Sequence, residues 1–390
     1  MPNRLCAYGH QGVAAVALWL GTLAGPSFAA DCDGNGLPDT EDLCAGAPDA
    51  DGDGYLDSCE FRYGNFDLDD DVDGNDLGMI LNHWGHVGQI AGDLTGDSVV
   101  DASDLSTLLC LWGPVNYSGS SGPAWATVLS WCPDPAIVTN ATLREALSAT
   151  GLPWRVLDTS TNSEMVLVPP GTFQMGCSAP TGSGCNSIES PVHEVTLTNA
   201  FYIGRYEVTQ SQWQAAMGSN PSFFASYSDS PSRPVEKVSW NTIQGFLTAT
   251  GLRLPTEAEW EYSYRAGTTT AYHSGPGYPD GTNDTIFVPQ IAWYSGNAGN
   301  QTHAVGGKAG NGLGIHDMAG NVWEWVNDWY DSYPSAAQTN PTGAATGSNR
   351  VLRGGAWSFN AHYVRSSHRD HVTPVYSYYG IGFRVARAPF

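Results

Sequence analysis

Residues 352–370 read LRGGAWSFNAHYVRSSHRD, a Gly-Gly turn that feeds aromatic, histidine and arginine side chains and holds no cysteine. The residues around it decide which fold it belongs to. From about Ser163 onward the sequence has the texture of short strands separated by long, aromatic-rich loops. MVLVPPGTF and HEVTLTNAFYI cluster or alternate β-formers between turn residues. Helix signals are sparse. Thr209 and Gln212 frame a capping box before a short helix that ends near Gly218, and Thr256 and Glu259 frame another in LPTEAEWEYSYRAG, ending at Gly267. The remainder is coil rich in glycine, asparagine and tryptophan, so such a domain needs many side-chain or metal ties to hold its loops.

Working toward the N-terminus, ATLREALSAT predicts a short helix stopped by Gly151 and Pro153, and PVNYSGSSGPAW (114–125) has the composition of a flexible connector. Before it lies an internal repeat. NFDLDDDVDGNDLGMILNHWG and DLTGDSVVDASDLSTLLCLWG superpose so that Leu77, Ile80, Leu81 and Trp84 recur as Leu105, Leu108, Leu109 and Trp112. Spacing of i, i+3, i+4, i+7 places each set on one helical face, ended by Gly85 and Gly113. Each unit is a loop followed by an amphipathic helix, and two such helices bury their stripes best against each other.

The loops are acidic in a regular way. Calcium takes several oxygen ligands around a sharp turn, which a loop supplies from positions 1, 3, 5, 9 and 12 with glycine at 6. DADGDGYLDSCE offers Asp49, Asp51, Asp53, Gly54, Asp57 and Glu60. DCDGNGLPDTED offers Asp31, Asp33, Asn35, Gly36, Asp39 and Asp42. The repeat loops offer Asn65, Asp67, Asp69, Asp73 and Asp76, then Asp93, Asp97, Asp101 and Asp104, with Asp70 and Ser98 in place of the glycine and Thr95 weakening the second. The loop-helix repeat resembles a dockerin module, and the loops before it resemble thrombospondin type 3 or EF-hand repeats. A dockerin relation implies a cohesin-like or cell-surface partner; the other reading is a calcium-stiffened spacer.

The net charge of the 390 residues is −23, concentrated in residues 31–115, which hold 20 of the 39 acidic residues against one basic residue, Arg62. Such a segment repels nucleic acid and anionic membrane and attracts divalent cations. The first thirty residues combine Arg4, the apolar run VAAVALWLGTL and small residues at Ser27, Ala29 and Ala30, the pattern of a signal peptide, so we expect an exported chain. No other segment approaches the length of a spanning helix. Without Cys6 seven cysteines remain, an odd number. Cys177 and Cys185, in the loop CSAPTGSGC, are the candidate disulfide.

Seven motifs in order, PPGTFQMG, FYIGRYEVTQSQW, RPVEKVSW, GLRLPTEAEWEY, GLGIHDMAGNVWEW, RVLRGGAW and GIGFRVAR, resemble the formylglycine-generating enzyme, or sulfatase-modifying factor, family over about residues 160–388. The resemblance implies an α+β domain with little regular secondary structure and distant kinship to C-type lectins, behind a small N-terminal calcium-loop-helix module. The expected boundaries are 1–30 for the signal peptide, 31–62 for the first calcium loops, 63–113 for the dockerin-like repeats, 114–159 for the linker with its helix, and 160–390 for the large domain. Family members that work as oxidases bind copper through two cysteines at Gly-Gly-x-x-x-Cys-x-x-x-x-Cys, since two thiolates favour copper(I) and the metal permits one-electron oxygen chemistry. Counted from Gly354 and Gly355, those positions here are Phe359 and Val364, and neither ligates copper. His362, His368 and His371 are irregularly spaced and lack the carboxylate of a facial triad. HDMAGNVWE resembles the family's second structural calcium site, which implies the side chains of Asp317 and Glu324 and the carbonyls of Gly320 and Val322 as ligands.

Three readings of the large domain follow. One is a non-canonical member that binds a ligand or protein through Trp357, His362, Arg365, His368 and Arg369, with cations and rings supplying anion and stacking contacts. The second is an oxidase that uses another metal arrangement, and the third a structural or displayed domain on a calcium-stiffened stalk. The first is the expectation taken forward. No serine-histidine-aspartate constellation, phosphate loop or paired-acid motif stands out in the sequence.

Overall fold

The computed structural model describes residues 71–72, 74–85, 100, 105, 108, 113–114, 122–134, 136–177 and 184–390. The chain divides into two compact units, residues 1–119 and 120–390. In the first, β1 (Asp71–Val72) pairs antiparallel with β2 (Gly113–Pro114), and α1 spans Gly74–Asn82. Ile80, Val100 and Leu108 are fully buried together, with Leu77, Met79 and Leu105 against them. The repeat therefore meets its own copy through Ile80 and Leu108, as their equivalent positions predict. Leu81 and Trp84 differ from expectation, being 56% and 46% exposed. The helix ends at Asn82 and Trp84 lies in the turn that follows, so the four-residue stripe narrows to Leu77 and Ile80. Of the calcium loops, only Asp76 is described, at the start of α1 and buried; the other loop residues from Asp31 to Asp104 lie outside the described residues.

The second unit opens with β3 (Ala126–Ser130), the helix α2 (Ala141–Ser148) capped by Asn140, and β4 (Arg155–Asp158). β5 (Glu164–Val168) is buried on both faces, Met165 through Val168 being inaccessible, because it is the middle strand of five. β6 (Gly171–Met175) and β7 (His193–Leu197) pair antiparallel, and β8 (Phe201–Gly204) returns to β5. Three short helices follow: α3 (Gln210–Met217), α4 (Trp240–Thr250) and α5 (Glu257–Arg265). Each carries a full capping box, from Thr209, Ser239 and Thr256, in which the cap and the third helical residue satisfy each other's backbone donors. The boxes of α3 and α5 match the sequence reading; α5 ends at Arg265 and is capped by Ala266, in the left-handed region, one residue before Gly267.

After α6 (Val288–Ile291) come β9 (Trp323–Trp329), β10 (Gln338–Thr339), β11 (Arg350–Arg353), β12 (Arg369–Val372), β13 (Ile381–Gly382) and β14 (Ala386–Arg387). They complete three sheets in the orders β14-β8-β5-β4-β3, β12-β11-β9-β13 and β10-β7-β6. One core, rich in tryptophan and tyrosine, runs between them and under α3, α4 and α5. Trp125 Nε1 donates to Pro389 O at 3.1 Å, tying the first strand of the unit to its last residues. The mixture of short strands and helices with long ordered loops is the α+β architecture that the motifs imply.

Candidate functional site

The stretch that follows β11 turns on Gly354 and Gly355, whose φ values of 91° and 73° lie in the left-handed region. A Cβ on Gly355 would stand 2.7 Å from Tyr363 O, so the turn requires glycine. The chain then folds back as a single 3₁₀ turn, Ala361–Val364, capped by Asn360. Phe359 packs edge-on to Trp323 at 5.4 Å and to Tyr363 at 5.0 Å, and Val364 is fully buried in the core. The two positions that would hold copper are thus occupied by packed hydrocarbon. Cys177 Sγ lies 3.4 Å from Arg365 Nη1, but it is bonded to Cys185, and a disulfide supplies no thiolate. The residues present do not fit copper. Cys132 is also disulfide-bonded, and no free thiol occurs among the described residues.

The polar residues of the same stretch are placed differently from the recognition cleft that the sequence suggests. Arg365 forms a fork on Glu189, 2.7 Å to each oxygen, and both side chains are buried. Ser367 Oγ donates to the same carboxylate at 2.7 Å, and His368 Nδ1 is 3.3 Å away. Arg369 donates to Glu257 Oε2 at 2.6 Å and stacks on Tyr333. Trp357 is buried against Phe224 and Tyr379, and only His362 is exposed. The cations of Arg365 and Arg369 are therefore spent inside the fold, where a buried carboxylate needs them. The three histidines do not converge: His371 stacks on Tyr330 and bonds Asn349, His368 sits beside Glu189, and His362 faces solvent. These roles were invisible in the sequence because Glu189 is 176 residues from Arg365.

The loop HDMAGNVWE enters β9 over a second buried charge cluster. Glu324 receives Arg384 on both oxygens, at 2.6 and 2.7 Å, and Trp260 Nε1 at 2.6 Å. Glu207 accepts from Val322 N at 3.1 Å and from Asn321 Nδ2 at 2.7 Å. Asp317 accepts from Gly306 N at 2.6 Å through Oδ2, while its Oδ1 is buried without a partner. Burial, and then the charges of Asp317 and Glu324, push Glu207 well above the usual carboxylate range, and burial pushes Asp317 up to about 6. Three carboxylates around one guanidinium leave an excess of negative charge that only protons or a cation can relieve. The orphaned Asp317 oxygen fits a calcium ligand. Glu324 fits only through the lone pairs that Arg384 and Trp260 leave over. Among the described residues no group of three or more His, Cys, Asp or Glu is arranged to hold a metal, so a cation here would rest on these two carboxylates and on backbone carbonyls.

A third feature is an exposed aromatic face. Phe223 (61% exposed), Tyr227 and Tyr376 project to solvent beside Tyr378 and Tyr379, with Trp357 beneath. Phe223 lies 5.3 Å from Tyr379, and Tyr378 lies 3.9 Å from Tyr379, so the rings are continuous. Glu236 underlies the face, its Oε1 accepting from Phe224 N at 2.9 Å, and burial raises it to about 7.

The titrations set a sign for the pH dependence. Asp317 at about 6, Glu236 at about 7 and Asp328 at about 8 are all raised in the fold by burial first. Such groups add stability below their unfolded values, near about 4, that is lost as pH rises through the folded ones. Burial lowers His273, to about 4, and also His303 and His316, so these add stability as pH rises toward about 6.5 and oppose the carboxyls there. With EDTA present, the melting temperature is therefore expected to fall most clearly between about pH 6.5 and about pH 8. A flat or rising profile above about pH 6.5 would mean that Glu236 and Asp328 are not buried as described.

Residues 152–389 match the family described as the sulfatase-modifying factor enzyme 1-like domain. The formylglycine-generating enzyme of Thermomonospora curvata is 30% identical over 296 residues, which cover 58% of this chain and 93% of that protein. A protein of Paenibacillus barcinonensis named chaperone protein LppX is 31% identical over 258 residues, covering 51% of this chain and 80% of it. Among solved structures, Treponema denticola variable protein 1 aligns with a TM-score of 0.52 and 30% identity, over 58% of this chain and 95% of that one. The family match spans more than half of the chain, and the motifs that carry it are those that build the sheets and the Gly-Gly turn. Through residues 152–389, the chain belongs to the sulfatase-modifying factor enzyme 1-like domain family.

Proposed function

We propose that the large domain is a non-canonical family member that binds a ligand or protein and does not oxidise cysteine. The observation that carries this is the packing of Phe359 and Val364 at the positions where the family's oxidases keep their thiolates. Membership alone does not assign an activity, since one relative is named a formylglycine-generating enzyme and another a chaperone. The binding surface we assign is the aromatic face of Phe223, Tyr227, Tyr376, Tyr378 and Tyr379, in place of the buried arginines. Rigid rings with polar tips give large contact area at low entropic cost. The burial of Arg365, Arg369 and Trp357 favours a second reading, a displayed structural domain.

The test is incubation of the chain with a sulfatase-type cysteine peptide, copper(I) and oxygen, followed by mass spectrometry. No conversion of cysteine to the aldehyde is expected; turnover would overturn the binding reading and restore an oxidase with another metal arrangement.

We further propose that the chain is exported and binds calcium, through the loops between Asp31 and Asp104 and through Asp317, Gly320, Val322 and Glu324. The acidic loops then form either a stiffened spacer or a dockerin-like module with a cohesin-like or cell-surface partner. Calcium at about a hundred times its dissociation constant is expected to add about 2.7 kcal/mol of stability, which EDTA removes. Circular dichroism and melting curves indifferent to EDTA would end the calcium proposal.

A further inference from the structure

We propose that the cavity beside the N-terminal end of α5 binds a small organic cation, an alkylammonium whose charge pairs with Asp328. The cavity has a volume of about 460 Å³, within the range of small-molecule sites, and Asp328, Glu257, His193, Tyr333, Asn340 and Gly343 line it. It is separate from the positions of Phe359 and Val364 and from the aromatic face, so the proposal stands apart from the preceding one.

Asp328 is 4% exposed. Its Oδ2 accepts from Glu257 N at 2.9 Å, whereas Oδ1 has no hydrogen-bond partner among the described residues and lies on the cavity wall beside Gly343, where a Cβ would stand 2.9 Å from it. The buried carboxylates around it are treated otherwise: Glu257 has Arg369, Glu261 has Arg353 and Arg265, and Glu189 has Arg365. No ion pair reaches Asp328 among the described residues. Arg369, the one arginine in the lining, is committed to Glu257, Ile188 O and Asp331 O. The exposed lining residues Asp331, Ser332, Asn340 and Thr342 bring no cation. A carboxylate that presents one bare oxygen to a cavity whose one lining arginine is committed elsewhere has the chemistry to receive a positive ligand. Among the described residues no set of three His, Cys, Asp or Glu is grouped to hold a metal, which favours an ammonium over a divalent ion.

The charged groups that act on Asp328 are Glu257 and Glu259 on α5, Arg350 on β11 and Arg369 on β12, and His193 on β7 and Asp331 and Tyr333 after β9 line the same cavity. Burial first, and then the charge of Glu257, raise Asp328 to about 8. An arriving ammonium therefore displaces a proton from it at neutral pH.

Calorimetry of the full chain with n-butylammonium tests this, with n-butanol as the neutral probe of similar shape. Affinity for n-butylammonium is expected to rise about tenfold per pH unit up to about pH 8 and then level off. At about pH 6.5, titration in two buffers of different ionisation enthalpy should report about one proton released per amine bound. n-Butanol is expected to bind at least about tenfold more weakly. Asp328→Asn keeps an acceptor for Glu257 N and should lose at least about tenfold in amine affinity, while its fold is checked by near-ultraviolet circular dichroism. Equal binding of n-butanol, displacement of the amine by calcium, unchanged affinity in Asp328→Asn, or no saturable heat at about pH 9 would each overturn the proposal. Should Asp328→Asn fail to fold, proton release by the unaltered chain decides alone.

Discussion

Arg365→Ala is expected to cost about 3–5 kcal/mol of stability, the range seen when one partner of a buried ion pair is removed. The guanidinium meets both oxygens of Glu189 at 2.7 Å, and neither side chain reaches solvent. Its Nη2 also donates to Gly184 O at 2.9 Å, anchoring the end of the loop closed by the Cys177–Cys185 disulfide. Without it, Glu189 keeps Ser367, His368 and Asn186 N but loses the only full cation on it among the described residues. Arg365→Lys should recover little, because an ammonium cannot make the planar fork. Burial opposes the ionisation of Glu189, yet hydrogen bonds from His368 and Arg365 and the Arg365 charge hold its carboxyl well below the usual range. The stability this lends is complete above the unfolded value of about 4.3 and is lost as pH falls through the lowered one, so the variant should show a flatter acid limb. Chemical denaturation against pH measures both. A loss below about 1 kcal/mol would place Arg365 with surface pairs and reopen its assignment to a ligand.

Gly320→Ala should lower stability by about 2–5 kcal/mol, combining the left-handed cost of about 1–2 with overpacking of about 1–3. Its φ is 82°, and a Cβ would stand 2.2 Å from Trp293 O and 2.9 Å from Trp293 C. The backbone cannot retreat, since Gly320 N donates to Gly354 O and Asn321 N to Trp293 O, each at 2.8 Å. Gly218 is the control: its φ is 75° but nothing lies within 4 Å of its Cβ position. Gly218→Ala should therefore cost only the conformational part, about 1–2 kcal/mol. Equal losses at the two glycines would show that the Trp293 contact is soft.

What the sequence revealed was local, and what it hid was distant. The boxes at Thr209 and Thr256 are legible because cap and partner stand three residues apart, with Gln212 and Glu259 as signals. Helix α4 escaped notice because Ser239 is answered by Thr242, a residue not associated with capping boxes. The strand texture of β5 to β8 was visible, but sheet order depends on pairings such as Met165 with Gly204 and Ala386 with Ile203 that no local pattern encodes. The candidate site suffered most. Arginines and histidines were readable as charges clustered in one stretch, yet whether a charge faces ligand or carboxylate depends on Glu189 and Glu257, far away in the chain. The missing thiolates, in contrast, were legible through the family resemblance, whose cysteine pattern counted from Gly354 and Gly355 falls on Phe359 and Val364, and both stand packed there.

The tie between Trp125 and Pro389 has a bearing on the order in which the chain can fold. Ribosomal synthesis delivers β3, β4, β5 and β8 first, but the outer edge of β8 is covered by Ala386 and Arg387, which come late. Arg384, which neutralises Glu324 inside the core, and the carbonyl of Pro389 arrive equally late. A nascent chain short of these residues holds an uncovered strand edge and a carboxylate that cannot be desolvated alone. Residues 120–390 therefore cannot close until residues 384–389 are present, and that short segment acts as the clasp of the unit.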